Sequence, residues 1–345
     1  MTYQVGTPRF YVDSYSYFHS LGITANISAY FNFFGLNPSN QKTFDYNLAA
    51  GSSAGNWFNF GLNRDMKIPI EAIQNVDGYS VIGLLGHNFA SNGIAPAIKT
   101  QYHDGTNQYD GSYGSSVEEI VNYNSTNSPP DYDGFSLYKT KLAGVSVDGK
   151  EVFNEFELRL AIYGAAYLPA TGTHKLGCVF LGTYYDMGHS PDLNLKMSIE
   201  MDGVKQKETK GGSTLSNAMY TGPADWGSQG AWQLGNKKNF RAGRRTWNLS
   251  FSFLSEESIL PSWAGTNYAI PWVGTFDTNI LDGTDFFCSV WNKTLGNALP
   301  FIFQPDNTNN SPDQFAICKF DMNSLDITQT MHRKYNVSLK IEEVW

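Results

Sequence analysis

Alternating apolar and polar residues recur along the chain and predict β-strands, because side chains on a strand point in turn to opposite faces. The alternation is clear in four segments: residues 155–162, 193–201, 247–253 and 335–341. A fifth segment, residues 79–86 (YSVIGLLG), is almost entirely apolar. A continuous apolar run of this length is typical of a strand that is covered on both faces.

Turn signals separate these strands, and helix signals are scarce. Asp-Gly, the strongest two-residue hairpin signal, begins at Asp77, Asp104, Asp110, Asp133, Asp148, Asp202 and Asp282. Residues 116–119 (SVEE) form a capping box that predicts one short helix, and residues 255–257 (SEE) predict another turn or two. The pattern therefore predicts an all-β chain of stacked sandwiches with very little helix.

One predicted hairpin projects from the body. The alternating segment 193–201 runs directly into Asp202-Gly203, and the returning residues 204–212 (VKQKETKGG) are polar. A returning strand without apolar residues has no face to place in a core. We therefore expect the outer part of this long hairpin to extend into solvent.

The chain divides into two expected domains, residues 1–188 and 189–345, with the boundary near Gly188. The largest irregular stretch of the first domain is predicted at residues 100–134, and it is rich in Tyr, Gly, Ser and Asn. So long a loop in a compact domain usually has a function of its own or is disordered.

Composition excludes several classes of function. Charged residues make up only 16% of the 345 residues, and the net charge is −8, which opposes binding to nucleic acid through phosphate contacts. No apolar run reaches the ~20 residues of a membrane span, and the first residues do not resemble a secretory signal. Three widely spaced cysteines indicate a reducing compartment rather than a disulfide scaffold. We expect a protein made in a cytoplasm.

The sequence contains no convincing catalytic or metal-binding motif. Residues 51–55 (GSSAG) fit the G-x-S-x-G pattern, but no helix pattern follows, as a nucleophile elbow requires. His87 is interpreted as a strand-end residue with local hydrogen bonds. The carboxylates of residues 104–133 lack the spacing of a calcium loop and are interpreted as turn residues. No catalytic residue, cofactor or metal ligand is predicted, and the chain is not expected to be an enzyme.

Two groups of residues are candidates for contact with a partner. Tyr109 and Tyr113 belong to the tyrosine-rich stretch, whose composition suits a sugar ligand or a neighbouring copy of the chain. Arg241, Arg244 and Arg245 form a basic group in an acidic protein. They suit either an acidic patch on another subunit or a solvated face.

Seven stretches, in order along most of the chain, together resemble a family of tailed-bacteriophage virion proteins best represented among marine phages. The stretches are TPRFYVDSYSYFHSLG (7–22), VIGLLGHNF (81–89), KLGCVFLGTYYD (175–186), SPDLNLKMSIEMDG (190–203), RRTWNLSFSFL (244–254), KTLGNALPFIFQPDN (293–307) and YNVSLKIEEVW (335–345). All are strand and turn patterns rather than catalytic motifs. The resemblance implies a jelly-roll-like first domain and, in the second, a tail-ring-like β-sandwich with a long hairpin.

The resemblance implies a structural subunit of a phage virion, in the distal tail or baseplate. Its expected partners are other copies in a homo-oligomeric ring, hexameric by resemblance, and other virion proteins. Its expected location is the virion, after assembly in the host cytoplasm without secretion by a signal peptide. Three alternatives remain open: a receptor- or glycan-binding adhesin subunit that binds a host glycan, a fibre or neck connector, and a polysaccharide-degrading enzyme, which would need a cleft with paired carboxylates.

Overall fold

A computed structural model describes residues 6–23, 56–61, 67–123, 128–162, 176, 178–193, 195–200, 205–216, 244–261 and 283–344. Strands account for 51% and helices for 13%, which confirms the predicted all-β, sandwich-like class. No helix in these ranges has the length and hydropathy that a membrane crossing requires.

The strands of the first half are β1 (Arg9–Asp13), β2 (Asn56–Gly61), β3 (Ile68–Pro69), β4 (Ser80–His87), β5 (Ile94–His103), β6 (Gln108–Tyr113), β7 (Ser115–Val121), β8 (Gly134–Lys141), β9 (Val145–Val147), β10 (Lys150–Phe153), β11 (Glu155–Ile162) and β12 (Cys178–Asp186). Those of the second half are β13 (Lys196–Glu200), β14 (Gln206–Glu208), β15 (Thr214–Ser216), β16 (Arg244–Ser255), β17 (Phe301–Gln304), β18 (Ala316–Phe320), β19 (Ile327–Met331) and β20 (Lys334–Glu343).

The described helices are short: α1 (Ser14–Ser20), α2 (Phe89–Asn92), α3 (Glu256–Ile259), a π-helix (Phe287–Asn292) and 3-10 turns at Ile70–Ile73 and Pro312–Gln314. The helical turn expected from residues 255–257 is confirmed by α3.

Eleven of the described strands form one sheet, in the order β13-β16-β20-β18-β17-β1-β12-β4-β8-β7, with β19 beside β20. A second sheet has the order β2-β11-β5-β6. Strand β1 pairs with β12 on one side and with β17 on the other. The large sheet is therefore continuous across the domain boundary expected near Gly188, and that division stays a prediction.

Apolar residues pack on both faces of the large sheet. The sandwich core lies between the two sheets; it includes Leu84 and Leu181 of the large sheet and Ile98 and Leu158 of the small one. A helix-covered core packs β16, β17, β18 and β20 against α3 and the residues of the π-helix. A third cluster, on the opposite face of the large sheet, includes Tyr11. These layers give the sandwich architecture its physical basis.

Strand β1 contributes to both faces because its side chains alternate. Phe10 and Val12 belong to the helix-covered core, whereas Tyr11 points to the opposite face and donates a hydrogen bond to Gln304 Oε1 at 2.6 Å. Gly182 of β12 lies so close to β1 that a Cβ there would be 1.7 Å from the Val12 carbonyl oxygen. Only glycine fits at this position.

Three predictions about residues 100–134 are wrong. This stretch is not one long loop, because it contains the end of β5 and all of β6 and β7. Strand β6 is at the edge of its sheet and mostly exposed, so it carries no apolar alternation that sequence could reveal. The expected Asp110-Gly111 turn lies inside β6.

The predicted helix at 116–119 is part of β7, where pairing with β8 and burial of Ile120 and Val121 outweigh the local capping pattern.

The structure describes part of the segment in which the sequence predicts a projecting hairpin. Residues 205–215 are exposed, as expected from their polarity. However, the described partner of β13 is β16, while β14 pairs with β15 through a turn at residues 209–212. The described pairing therefore differs from the expected one, because the returning residues 206–208 pair with 214–216. The expected turn at Asp202-Gly203 lies outside the described residues.

Asp13, at the end of β1, is a buried carboxylate that caps α1. Its Oδ1 accepts hydrogen bonds from the backbone N–H groups of Tyr15 at 3.1 Å and Ser16 at 3.4 Å. Burial opposes its charge and raises its pKa from 3.8 to about 6, although these hydrogen bonds act in the other direction.

The folded state consequently binds a proton at Asp13 more readily than the unfolded chain does. The associated stability is fully present below pH 3.8 and is lost as pH rises through about 6. Replacing Asp13 with Asn keeps a capping acceptor and removes the titration. We expect the free energy of unfolding of wild type, relative to Asp13→Asn, to increase by up to roughly 3 kcal/mol between pH 7.5 and 4. Denaturant unfolding at each pH measures this difference; a constant difference would contradict it.

Candidate functional site

Polar side chains cover the outer face of the small sheet. On β5 and β11, Ile98 and Leu158 point into the sandwich core, so their neighbours Lys99, Gln101 and Glu157 project from the other face. All three are nonetheless buried. Buried charges require partners, and β6 supplies them.

A β-bulge brings Asp110 and Tyr113 of β6 to this outer face. Asp110 is opposite Gln101 and Tyr113 is opposite Lys99, with a register shift between the two pairs. In a regular strand, residues three apart point to opposite faces; the extra residue of a bulge restores them to one face. Gly111 lies within the bulge, where a Cβ would be 2.5 Å from the Thr100 carbonyl oxygen and 2.9 Å from that of Ala143.

Lys99, Gln101, Asp110, Tyr113 and Glu157 together form what we call the bulge cluster. Lys99 Nζ lies 3.3 Å from Asp110 Oδ2 and 3.4 Å from Glu157 Oε1. Gln101 Nε2 donates to Asp110 Oδ1 at 2.8 Å and to Glu157 Oε2 at 3.1 Å, and Tyr113 OH donates to Glu157 Oε1 at 2.9 Å. One ammonium and one amide thus hold two carboxylates from different strands.

The bulge cluster fixes the edge strand β6 to β5 and β11. Its carboxylates are engaged by donors of the same chain, and Asp110 alone opens widely to solvent, with 59% of its side chain exposed. Among the described residues, no group of three or more His, Cys, Asp or Glu side chains has the geometry of a metal site. The arrangement is suited to holding strands together and to presenting one carboxylate at the surface.

Tyr109 and Tyr113, predicted together, lie apart. Tyr109 is on the other side of the bulge, where its ring stacks on Tyr102 with centroids 6.2 Å apart and its OH donates to Asp104 Oδ2 at 3.1 Å. Its side chain is 43% exposed. Backbone N–H groups of Asn107 and Thr106 lower the pKa of Asp104 to about 2, so this acceptor is ionised at neutral pH.

The predicted arginines are held by the chain itself. Arg245 binds Glu343 through two hydrogen bonds, Nε to Oε2 at 3.0 Å and NH2 to Oε1 at 2.9 Å, and its guanidinium stacks over Trp247. Arg244 lies 3.3 Å from Glu342 Oε1. Arg241 lies outside the described residues. The two described arginines join β16 to the end of β20.

The edge of the large sheet at β13 belongs to the segment in which the sequence predicts a projecting hairpin. Within the described ranges, β13 is the last strand on this side. Leu195 and Met197 pack on the helix-covered core, while Ile199 of β13 and Leu193 of the preceding turn are exposed. The exposed β14–β15 hairpin follows. We call β13 and this hairpin the open edge; its sequence signal was the alternating segment 193–201.

Residues 205–216 of the open edge carry three lysines and one glutamate. This positive hairpin stands out in a chain of net charge −8. Its Leu215 is also exposed. A positive, partly apolar projection is suited to contact with a negatively charged protein surface.

The opposite edge of the large sheet is protected. Strand β7 pairs with β8 through two register shifts, between Ser115 and Glu118 and between Glu119 and Val121. Ser116 has φ of +55°, which twists the strand away from regular geometry. Bulges of this kind prevent a second strand from pairing with an edge.

Comparison of the chain with protein-family models, with curated proteins and with solved structures finds no significant match.

The geometry of the bulge predicts that Gly111→Ala destabilises the fold. The new methyl group would meet two backbone carbonyl oxygens that cannot rotate away, and we expect a loss of about 2–3 kcal/mol in the free energy of unfolding. Gly211→Ala is the matched control, because nothing lies within 4 Å of its added Cβ. Denaturant unfolding of both variants measures the difference; equal stabilities would show that the bulge tolerates a side chain.

Proposed function

We propose that this chain is a structural subunit of a phage virion that acts by self-assembly, in a distal-tail or baseplate ring. The observation that carries the proposal is the open edge. A regular, accessible edge strand beside a projecting hairpin invites association with another protein surface. The excess of lysine on the hairpin favours a net-negative partner, and another copy of this chain is one.

The resemblance to tailed-phage virion proteins supports the virion as the site of assembly. In a closed ring each copy contributes two different patches, since cyclic symmetry is built from head-to-tail contacts. The hairpin is suited to be one of these patches. Its residues 205–215 are exposed, so they can contact a neighbouring copy without any rearrangement of the core.

A second candidate is a glycan-binding adhesin subunit, and Tyr109 favours it. Its ring is partly exposed and is fixed by Tyr102 and Asp104. Fixed aromatic rings beside carboxylates suit sugar rings and their hydroxyl groups. Glycan-array binding by the full chain, without a defined assembly, would favour this candidate.

Self-assembly predicts a discrete oligomer. We expect light scattering across a concentration series to give a mass that is an integer multiple of 38.4 kDa, with six copies expected from the resemblance. Replacing residues 205–215 with a Gly-Ser linker of equal length should reduce that mass, with little change in the unfolding temperature, because these residues are exposed. Val76→Lys, a change at an exposed apolar residue in a distant turn, is the control. A wild-type monomer at high concentration would contradict the proposal.

A further inference from the structure

The two ends of the large sheet differ in their ability to accept another strand. Strand β7 is bulged twice. Strand β13 pairs with β16 in an unbroken register, from Lys196 opposite Asn248 to Glu200 opposite Arg244, and no described strand pairs with its outer side. A regular strand presents its outward N–H and C=O groups as a template for pairing. Of the two end strands that the structure describes in this sheet, β13 is therefore the one whose geometry suits pairing.

The sequence of β13 is complementary to itself in the antiparallel direction. The strand reads Lys-Met-Ser-Ile-Glu from residue 196 to residue 200. When two such strands run antiparallel with Ser198 opposite Ser198, Lys196 of each copy is opposite Glu200 of the other. Met197 of each is then opposite Ile199 of the other. Opposite charges and apolar pairs are the cross-strand combinations that stabilise a sheet.

The exposure of these side chains fits such a pairing. Lys196 and Glu200 are exposed, so neither must be desolvated deeply to meet its partner. Ile199 is 53% exposed, although Met197 in the same row packs on the helix-covered core. A second copy would place its own Met197 beside Ile199 and extend the apolar row across the contact.

We infer that two copies of this chain associate through antiparallel pairing of their β13 strands, with a two-fold axis at Ser198. The pairing joins the two large sheets into one. This contact is isologous, which means that both copies use the same surface, whereas contacts within a ring are head-to-tail. It is therefore additional to the contacts of the proposed ring. It would join two rings or form a dimer on its own. Five residues bury little area, so we expect a dissociation constant of about 1 μM or weaker.

Cysteine crosslinking tests the register directly. The three native cysteines are buried, so one surface cysteine reports on the contact. In Ser198→Cys the two Cβ atoms would lie about 4.5–5.5 Å apart, so that a small adjustment brings them to the ~4 Å that a disulfide spans. In Lys196→Cys and Glu200→Cys the equivalent atoms would be separated by four residues, about 13 Å. We expect an oxidised dimer for Ser198→Cys and little for the other two. Equal crosslinking of all three, or none for Ser198→Cys, would overturn the inference.

Charge reversal provides a second test with internal rescue. Lys196→Glu and Glu200→Lys each place like charges opposite one another twice per dimer, and each should weaken dimerisation about tenfold or more. The double variant restores opposite charges and should recover wild-type affinity. An equimolar mixture of the two single variants should form heterodimers. A double variant no tighter than the singles would overturn the inference.

The two proposals fail separately in these experiments. A wild-type dimer that crosslinks at Ser198→Cys but forms no ring would leave the β13 contact standing and contradict the ring. A ring whose cysteine variants do not discriminate among positions 196, 198 and 200 would contradict the β13 contact alone.

Discussion

The fold depends on β1, a five-residue strand that is hydrogen-bonded on both sides. Its alternating side chains complete apolar clusters on both faces of the large sheet, and the Arg9–Asp186 ion pair closes one end of its pairing with β12. The two halves also meet away from the sheet, where the buried Lys293 Nζ donates to the Ala72 carbonyl at 2.9 Å. Because residues 9–13 lie between strands from both halves, the large sheet is complete only when both halves are folded.

The large sheet has an edge strand at each end, with backbone groups open to pairing. The two edge strands differ in how such pairing is prevented. Strand β7 is protected by bulges, and the bulge cluster holds the small sheet's edge strand β6. Over its described residues, strand β13 has a regular register with β16, and the last described apolar side chain of its row, Ile199, is exposed. This contrast links the fold to the proposed assembly, because an unprotected edge is a liability in a monomer and a binding surface in an oligomer.

Local sequence patterns correctly predicted the elements whose structure depends on residues nearby in the sequence. The apolar run 79–86 became the buried strand β4, and Asp148-Gly149 became a two-residue turn with positive φ at both positions. Prediction failed where pairing decides the outcome. The bulge that gathers Asp110 and Tyr113, the strand at the capping box and the intramolecular partner of Arg245 all depend on residues far away in sequence. From the sequence, the open edge could be predicted only as an alternating segment. Its neighbour in the sheet, β16, is distant in the sequence and leaves no local signal.

Hydrogen exchange measured across the concentration range of assembly shows whether the open edge is the assembly surface. We expect slower exchange on assembly for amides of residues 196–200 and of the β14–β15 hairpin, with residues 115–121 of β7 unchanged. Slowed exchange at β7 with no change at residues 196–200 would show that the open edge is not the assembly surface.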